Sequence, residues 1–134
     1  MYNNNYKYSL NVNKLASTYE ASKNEMYKST CCATYVSWVL RSAGCINNTW
    51  HSSSQMYSNL KNNLNFIEVS YSNIEAGDIV FMDTQGTGSI NHVQLYAGDG
   101  RWYNAGSQSR INQAQPYKSG NVQSKVKKIL RYVK

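Results

Sequence analysis

Cys31-Cys32-Ala33-Thr34-Tyr35-Val36-Ser37-Trp38-Val39-Leu40 is the stretch on which the fold turns. Cys32, Tyr35, Val36, Val39, Leu40 and Ala43 fall at i, i+3, i+4, i+7, i+8 and i+11, the spacing of one buried stripe on an α-helix. Ser29 or Thr30 can cap its start. Gly44 fits the position just past its end, where a left-handed residue closes the last turn. The chain is expected to present a thiol at the N-terminal end of an apolar helix.

Working outward, residues 2–12 read as a polar, frayed leader. Asn13 can cap an opening helix over Lys14–Met26, with Leu15, Ala16, Tyr19 and Lys23 at helical spacing. A turn over Tyr27–Thr30 then leads into the cysteine helix. Downstream, Ser52-Ser53-Ser54-Gln55 matches a capping box, so a short third helix is expected after Trp50. Past Asn62-Asn63 the pattern turns to strand. Phe66–Val69, Ile79–Met82, His92–Ala97, Arg101–Ala105 and Val126–Val133 are the candidates. Asp83–Ile90 and Ser107–Asn121 read as loops, the first with two glycines expected to make it a flexible rim. Helices first and strands later predict an α+β fold with an antiparallel sheet.

The hairpin at Gly98-Asp99-Gly100 sets a geometric condition. A two-residue turn at Asp99-Gly100 pairs Gly98 with Arg101 and puts His92 and Asn104 on opposite faces. A three-residue loop shifts the register by one, and a one-residue slip inverts every side chain. His92, Gln94, Tyr96, Trp102 and Asn104 then share a face. Any partnership of Asn104 with His92 therefore requires the odd-length loop.

At 134 residues the chain is read as one domain, 1–134, and its 41% hydrophobic content is enough to bury a core. No apolar run approaches the roughly 20 residues of a membrane span. Met1–Tyr8 lacks the apolar stretch of a secretory signal. Phage release, delivery by another route or an excised domain are the expectations that follow. Fourteen basic residues against seven acidic give a net charge of +7. Lys125, Lys127, Lys128, Arg131 and Lys134 crowd the C-terminal end. Such a charge draws polyanions, including the anionic polymers of a bacterial wall, or simply solvates a strand. No nucleic-acid recognition motif is present. Three cysteines argue against a disulfide framework, and their spacing to the two histidines fits no zinc site. No metal or cofactor is expected.

A free thiol is mostly protonated at neutral pH, with pKa about 8.5. The positive end of a helix dipole and a nearby imidazolium favour the thiolate, the form that attacks a carbonyl. Cys32 is placed for that role. His92 would take the thiol proton, Asn104 would hold the imidazole in the useful tautomer, and N–H groups at the helix start would receive the oxyanion. Each residue alone has a plainer reading: a buried cysteine is most often an inert hydrophobe, and a strand histidine is usually structural. Cys45 is read as packing, and His51 as structural or substrate-facing.

The segments in order resemble the NlpC-type family of papain-like cell-wall hydrolases. That family opens its catalytic helix with Asp-Cys-Ser-Gly-Phe-Val, here Cys31-Cys32-Ala33-Thr34-Tyr35-Val36. The Tyr35-Val36 register favours Cys32 over Cys31 as nucleophile. Its Gly-Asp-Leu-Val-Phe-Phe strand is matched by Gly77-Asp78-Ile79-Val80-Phe81-Met82. Its Ser-His-Val-Gly-Ile-Tyr-x-Gly-x-Gly strand is matched by Asn91–Gly100. Twelve residues past the histidine the family has a third polar residue, here Asn104. The resemblance covers about residues 14–107 and implies a papain-like fold, with N-terminal helices packed on an antiparallel sheet.

It further implies a peptidoglycan hydrolase with catalytic Cys32, His92 and Asn104, acting through an acyl-enzyme on a D-γ-glutamyl–diamino acid bond. The related CHAP group, whose motif carries a similar Cys-x-x-Tyr-Val-x-Trp run, implies the muramoyl–L-Ala bond instead. An acyltransferase and a basic wall-binding module are the readings from other classes. Tyr27, Gln94 and Trp102 are the candidate substrate-binding residues. Peptidoglycan is the implied partner, with anionic wall polymer, an immunity protein, or a fused wall-binding or delivery module as further candidates. The family's Asp and Ser-Gly are Cys31 and Ala33-Thr34 here. That departure removes groups that hold a free N-terminal L-Ala and suits action on intact wall. Loss of the glycine at Thr34 is expected to matter little.

Overall fold

The computed structural model describes residues 32–98, 100–105, 111–116 and 123–133. The leader, the helix expected over Lys14–Met26, Tyr27 and Cys31 lie outside them. Helix α1 runs Cys32–Ser42 and α2 runs Ser53–Leu60. Both ends foreseen from sequence are present. Gly44 has φ +83°, its N–H donates to the Arg41 carbonyl at 3.0 Å, and Cys45 N–H donates to that of Leu40 at 2.9 Å. These two bonds satisfy carbonyls that the helix end leaves open. At α2, the Ser52 hydroxyl accepts from Gln55 N–H at 3.4 Å.

Six strands follow: β1 (Phe66–Glu68), β2 (Ile79–Met82), β3 (His92–Gly98), β4 (Arg101–Ala105), β5 (Ile111–Pro116) and β6 (Val126–Tyr132). They form one sheet in the order β1-β6-β2-β3-β4-β5, antiparallel at every pairing. Strand β5 corrects the expectation of a loop over Ser107–Asn121. Ile-Asn-Gln-Ala-Gln-Pro carries no apolar alternation, and its strand state rests on pairing with β4. It lies at the sheet edge with Pro116 as its last residue, where a missing N–H is tolerated.

Every side chain of β2 is buried because both its faces are covered. Ile79 and Phe81 join Val93, Leu95 and Leu130 beneath the α1 stripe of Tyr35, Val36, Val39 and Leu40. Each of those four helix residues is fully buried, worth about 1.5–3 kcal/mol apiece as an upper estimate. Val80 and Met82 join Trp102 and Ile129 in a second cluster on the other face. The strands on which α1 rests are β3 and β4.

The Gly77-Asp78 turn is held by charge. Arg131 Nε donates to Asp78 Oδ1 at 2.8 Å and its Nη2 to Oδ2 at 2.9 Å, a two-pronged pair across the sheet. Asp78 is 1% exposed. Burial pushes its carboxyl up, while the Arg131 guanidinium and the Glu75 amide pull it back. The aspartate of the Gly-Asp-Ile-Val-Phe run therefore pins strands together.

Candidate active site

Cys32 is the first residue of α1, half-buried and packed against the helix-side cluster. His92 is the first residue of β3. Burial lowers its pKa below the usual 6.5, and a hydrogen bond with the Gln94 side chain opposes that shift. Gln94, at 8% exposure, stands where the family motif has glycine. Among the described side chains, Gln94 is thus one that the structure places on His92.

The hairpin resolves the geometric condition in an unexpected way. Gly98 pairs with Arg101, as in the two-residue turn, yet Tyr96 pairs with Trp102 and Leu95 with Tyr103, as in the three-residue loop. The register shift between Tyr96 and Gly98 supplies the extra residue, a bulge at Ala97. Continued one step, this register sets Gln94 opposite Asn104. On the other side of β3, His92 lies opposite Met82 and Gln94 opposite Val80. His92, Gln94, Tyr96 and Trp102 thus share one face, while Val93 and Leu95 alternate toward α1. Trp102 is 3% exposed, sits in the second cluster and stacks on Tyr96 with ring centroids 4.8 Å apart. Asn104 lies in β4 opposite Asn112. Tyr27 is outside the described residues.

The loop leading into His92 is organised by Asp83. Its carboxylate accepts from the N–H groups of Gln85, Thr87 and Gly88 at 3.2, 3.1 and 2.7 Å. These donors, Gly88 foremost, hold its pKa below the ordinary 3.8. At the far end, Asn91 Oδ1 accepts from the Thr84 amide and hydroxyl at 2.9 and 3.0 Å. The two glycines belong to a caged turn. An aspartate heading a Gly-x-Gly run is the signal that reveals it.

A second organised segment lies along α1. Thr34 Oγ1 hydrogen-bonds His51 Nδ1 at 2.8 Å, Ser37 Oγ accepts from Trp50 N–H at 3.0 Å, and Arg41 donates to Thr49 Oγ1 at 2.8 Å. These three rungs tie residues 49–51 to the polar side of the helix. Thr34, where the family has glycine, therefore holds a loop and is more than a neutral replacement. Among the described residues no group of three or more His, Cys, Asp or Glu is placed to hold a metal. None of their helices is long and apolar enough to cross a membrane.

The model of the NlpC/P60 family matches residues 12–131. No curated protein matches the chain. Similar solved structures include an NlpC/P60 family protein from Bacillus cereus, with TM-score 0.59 and 23% identity over 78% of this chain and 32% of that one. A protein of Staphylococcus aureus described as similar to lipoprotein, NLP/P60 family, shows TM-score 0.55 and 23% identity over the same shares. NlpC2 of Trichomonas vaginalis shows TM-score 0.56 and 19% identity over 76% of this chain and 36% of its own. The chain spans about a third of the length of these structures. At such identities they speak for the fold, and the family match, running through α1, β3 and β4, speaks for descent: the chain belongs to the NlpC/P60 family.

Proposed function

We propose that this chain is a cysteine hydrolase that cuts an amide bond in the stem peptide of bacterial peptidoglycan, between D-γ-glutamate and the diamino acid. The observation that carries the reading is the family match over a chain whose α1 opens with Cys32 and rests on β3 and β4. Those are the strands of His92 and Asn104, although it is Val93 and Leu95 of β3 that face α1, so the imidazole has to reach Cys32 from the first position of the strand.

Cys32 Sγ, as thiolate, attacks the carbonyl carbon, and His92 holds the thiol proton. The oxyanion is received by N–H groups at the start of α1. Collapse breaks the C–N bond, His92 delivers the proton to the departing amine, and an acyl-enzyme remains. Water, deprotonated by His92, then releases the acid and restores the thiol. Gln94 and Asn104 orient the imidazole. The mechanism requires Cys32 Sγ and the imidazole to meet at the start of β3, within about 3–4 Å in the substrate complex.

Purified walls of both Gram types are incubated with wild type and with Cys32→Ala, and released fragments are read by mass spectrometry. New D-γ-glutamyl and diamino-acid termini from wild type alone are the expected result. Muramoyl–L-Ala termini would move the bond to the CHAP type. Binding without cleavage by both proteins would overturn hydrolysis of these substrates.

A further inference from the structure

At the opposite end of α1 from Cys32 lies a cleft that the chemistry above does not use. It has a volume of about 360 Å³ and is lined by Trp50, Asn47, Asn48, Asn59, Asn63 and Asn65, over a floor that includes Cys45. The 11-residue α1, about 16 Å long, separates the Cys45 floor from the nucleophile, while Trp50, bonded to Ser37, stands part of the way back along the helix. A second cavity of about 330 Å³, lined by Trp38, Arg41, Ile46 and Asn47, shares Ile46 and Asn47 with it.

The amides are available to a ligand. Asn47, Asn48 and Asn65 make no side-chain hydrogen bond among the described residues. Asn59 uses only its NH₂, on the Gln55 carbonyl, and Asn63 only its Oδ1, on the Asn65 amide. That leaves donors and acceptors together, with no charged side chain lining the larger cavity among the described residues. Cys45 adds no charge, because burial pushes its thiol up to about 12. The Thr49–His51 segment is fixed by its three rungs to α1, so Trp50 is held in place before any ligand arrives. Uncharged paired donors and acceptors around an indole suit sugar hydroxyls and acetamido groups, whose rings also present an apolar C–H face to an aromatic.

We infer that this cleft binds a neutral N-acetylated oligosaccharide, holding glycan apart from the bond being cut. The choice of glycan rests on the proposed action on the wall; the cleft and its test do not.

Labelled ¹⁵N protein is titrated with a tetramer of N-acetylglucosamine and, separately, with a glycan-free stem peptide. The sugar is expected to shift the side-chain amides of Asn47, Asn48, Asn59, Asn63 and Asn65 and the Trp50 indole. The double variant Asn48→Ala/Asn59→Ala, at two exposed positions, is expected to lose about tenfold in affinity. Its turnover of the glycan-free peptide should stay within about twofold of wild type. Asn47→Asp serves as a second variant if the double variant loses its native spectrum, with the same loss expected. No shift in the cleft, shifts caused by peptide and not by sugar, or unchanged affinity in the natively folded variants would each overturn the inference. If the protein cuts no wall yet sugar still shifts the cleft, the hydrolase reading falls and this one stands.

Discussion

Cys32 and Cys45 bracket α1, the first opening the helix half-buried, the second three residues past Ser42 and buried. The same functional group meets opposite surroundings. At the N-terminal end the helix dipole favours a negative charge. Past the C-terminal end apolar neighbours deny solvation, and burial pushes the Cys45 thiol up to about 12. On the proposed mechanism the reactive sulfur is the half-buried one at the helix start, and the buried one is inert.

The largest test of that contrast is turnover. Cys32→Ala should lower the rate of wall cleavage by on the order of 10³-fold or more, since it removes the proposed attacking thiolate, and an equal loss in Cys31→Ala alone would move that role to Cys31. Cys45→Ala should leave it within about twofold. Equal losses would break the contrast and return Cys32 to the status of a core residue. Alkylation separates the thiols without a substrate. In the native protein Cys32 should react with iodoacetamide at least about 100-fold faster than Cys45. His92→Gln should move the pH midpoint of the Cys32 reaction up toward about 8.5. A midpoint that ignores His92 would show that thiol and imidazole do not meet.

The imidazole has two candidate supports, and they were not equally legible. Asn104 follows from spacing and the motif. Gln94 occupies a glycine position of the motif, and only its hydrogen bond to His92 reveals what the larger side chain does. Gln94→Ala should reduce turnover roughly 10- to 100-fold with little change in KM. If Asn104→Ala alone has that effect, Gln94 is a bystander.

Legibility followed the strength of the local signal. The α1 stripe, Gly44 and Ser52 can be read because periodicity and end chemistry are local properties of a few residues. Strand β5 cannot, because its state depends on a neighbour and its residues do not alternate. The hairpin register was reducible to two alternatives, and the molecule takes the turn of one and the upstream pairing of the other. An unpaired residue at Ala97 makes that compatible, and no residue type announces such a bulge. Long-range charge pairing such as Asp78–Arg131 is equally silent, since 53 positions separate its partners.

Stability offers a smaller contrast between the two cysteines. Cys45→Ser puts a hydroxyl into a site that raises even a thiol's pKa, and should cost about 1–3 kcal/mol in urea denaturation. Cys32→Ser, half-exposed, should cost under about 0.5 kcal/mol.

The smallest expected effect is a pH slope. Burial sets the folded pKa of His92 below its usual 6.5. Between that folded value and 6.5 the unfolded chain binds the proton more readily. Stability contributed by the neutral, buried imidazole is therefore complete above 6.5 and declines as pH falls, levelling off below the folded pKa. One proton limits the slope to about 1.4 kcal/mol per pH unit. Asp83 works in a lower window: with its folded pKa beneath 3.8, its contribution persists above that value and is lost only as pH drops through the folded one. Urea midpoints measured from pH 7.5 to 4.5 should thus fall in wild type and fall less in His92→Gln, while Asp83→Asn keeps the wild-type slope over that range. A slope unchanged by His92→Gln would mean that the imidazole is solvated at the start of β3, and that Gln94 alone does not hold it in the sheet.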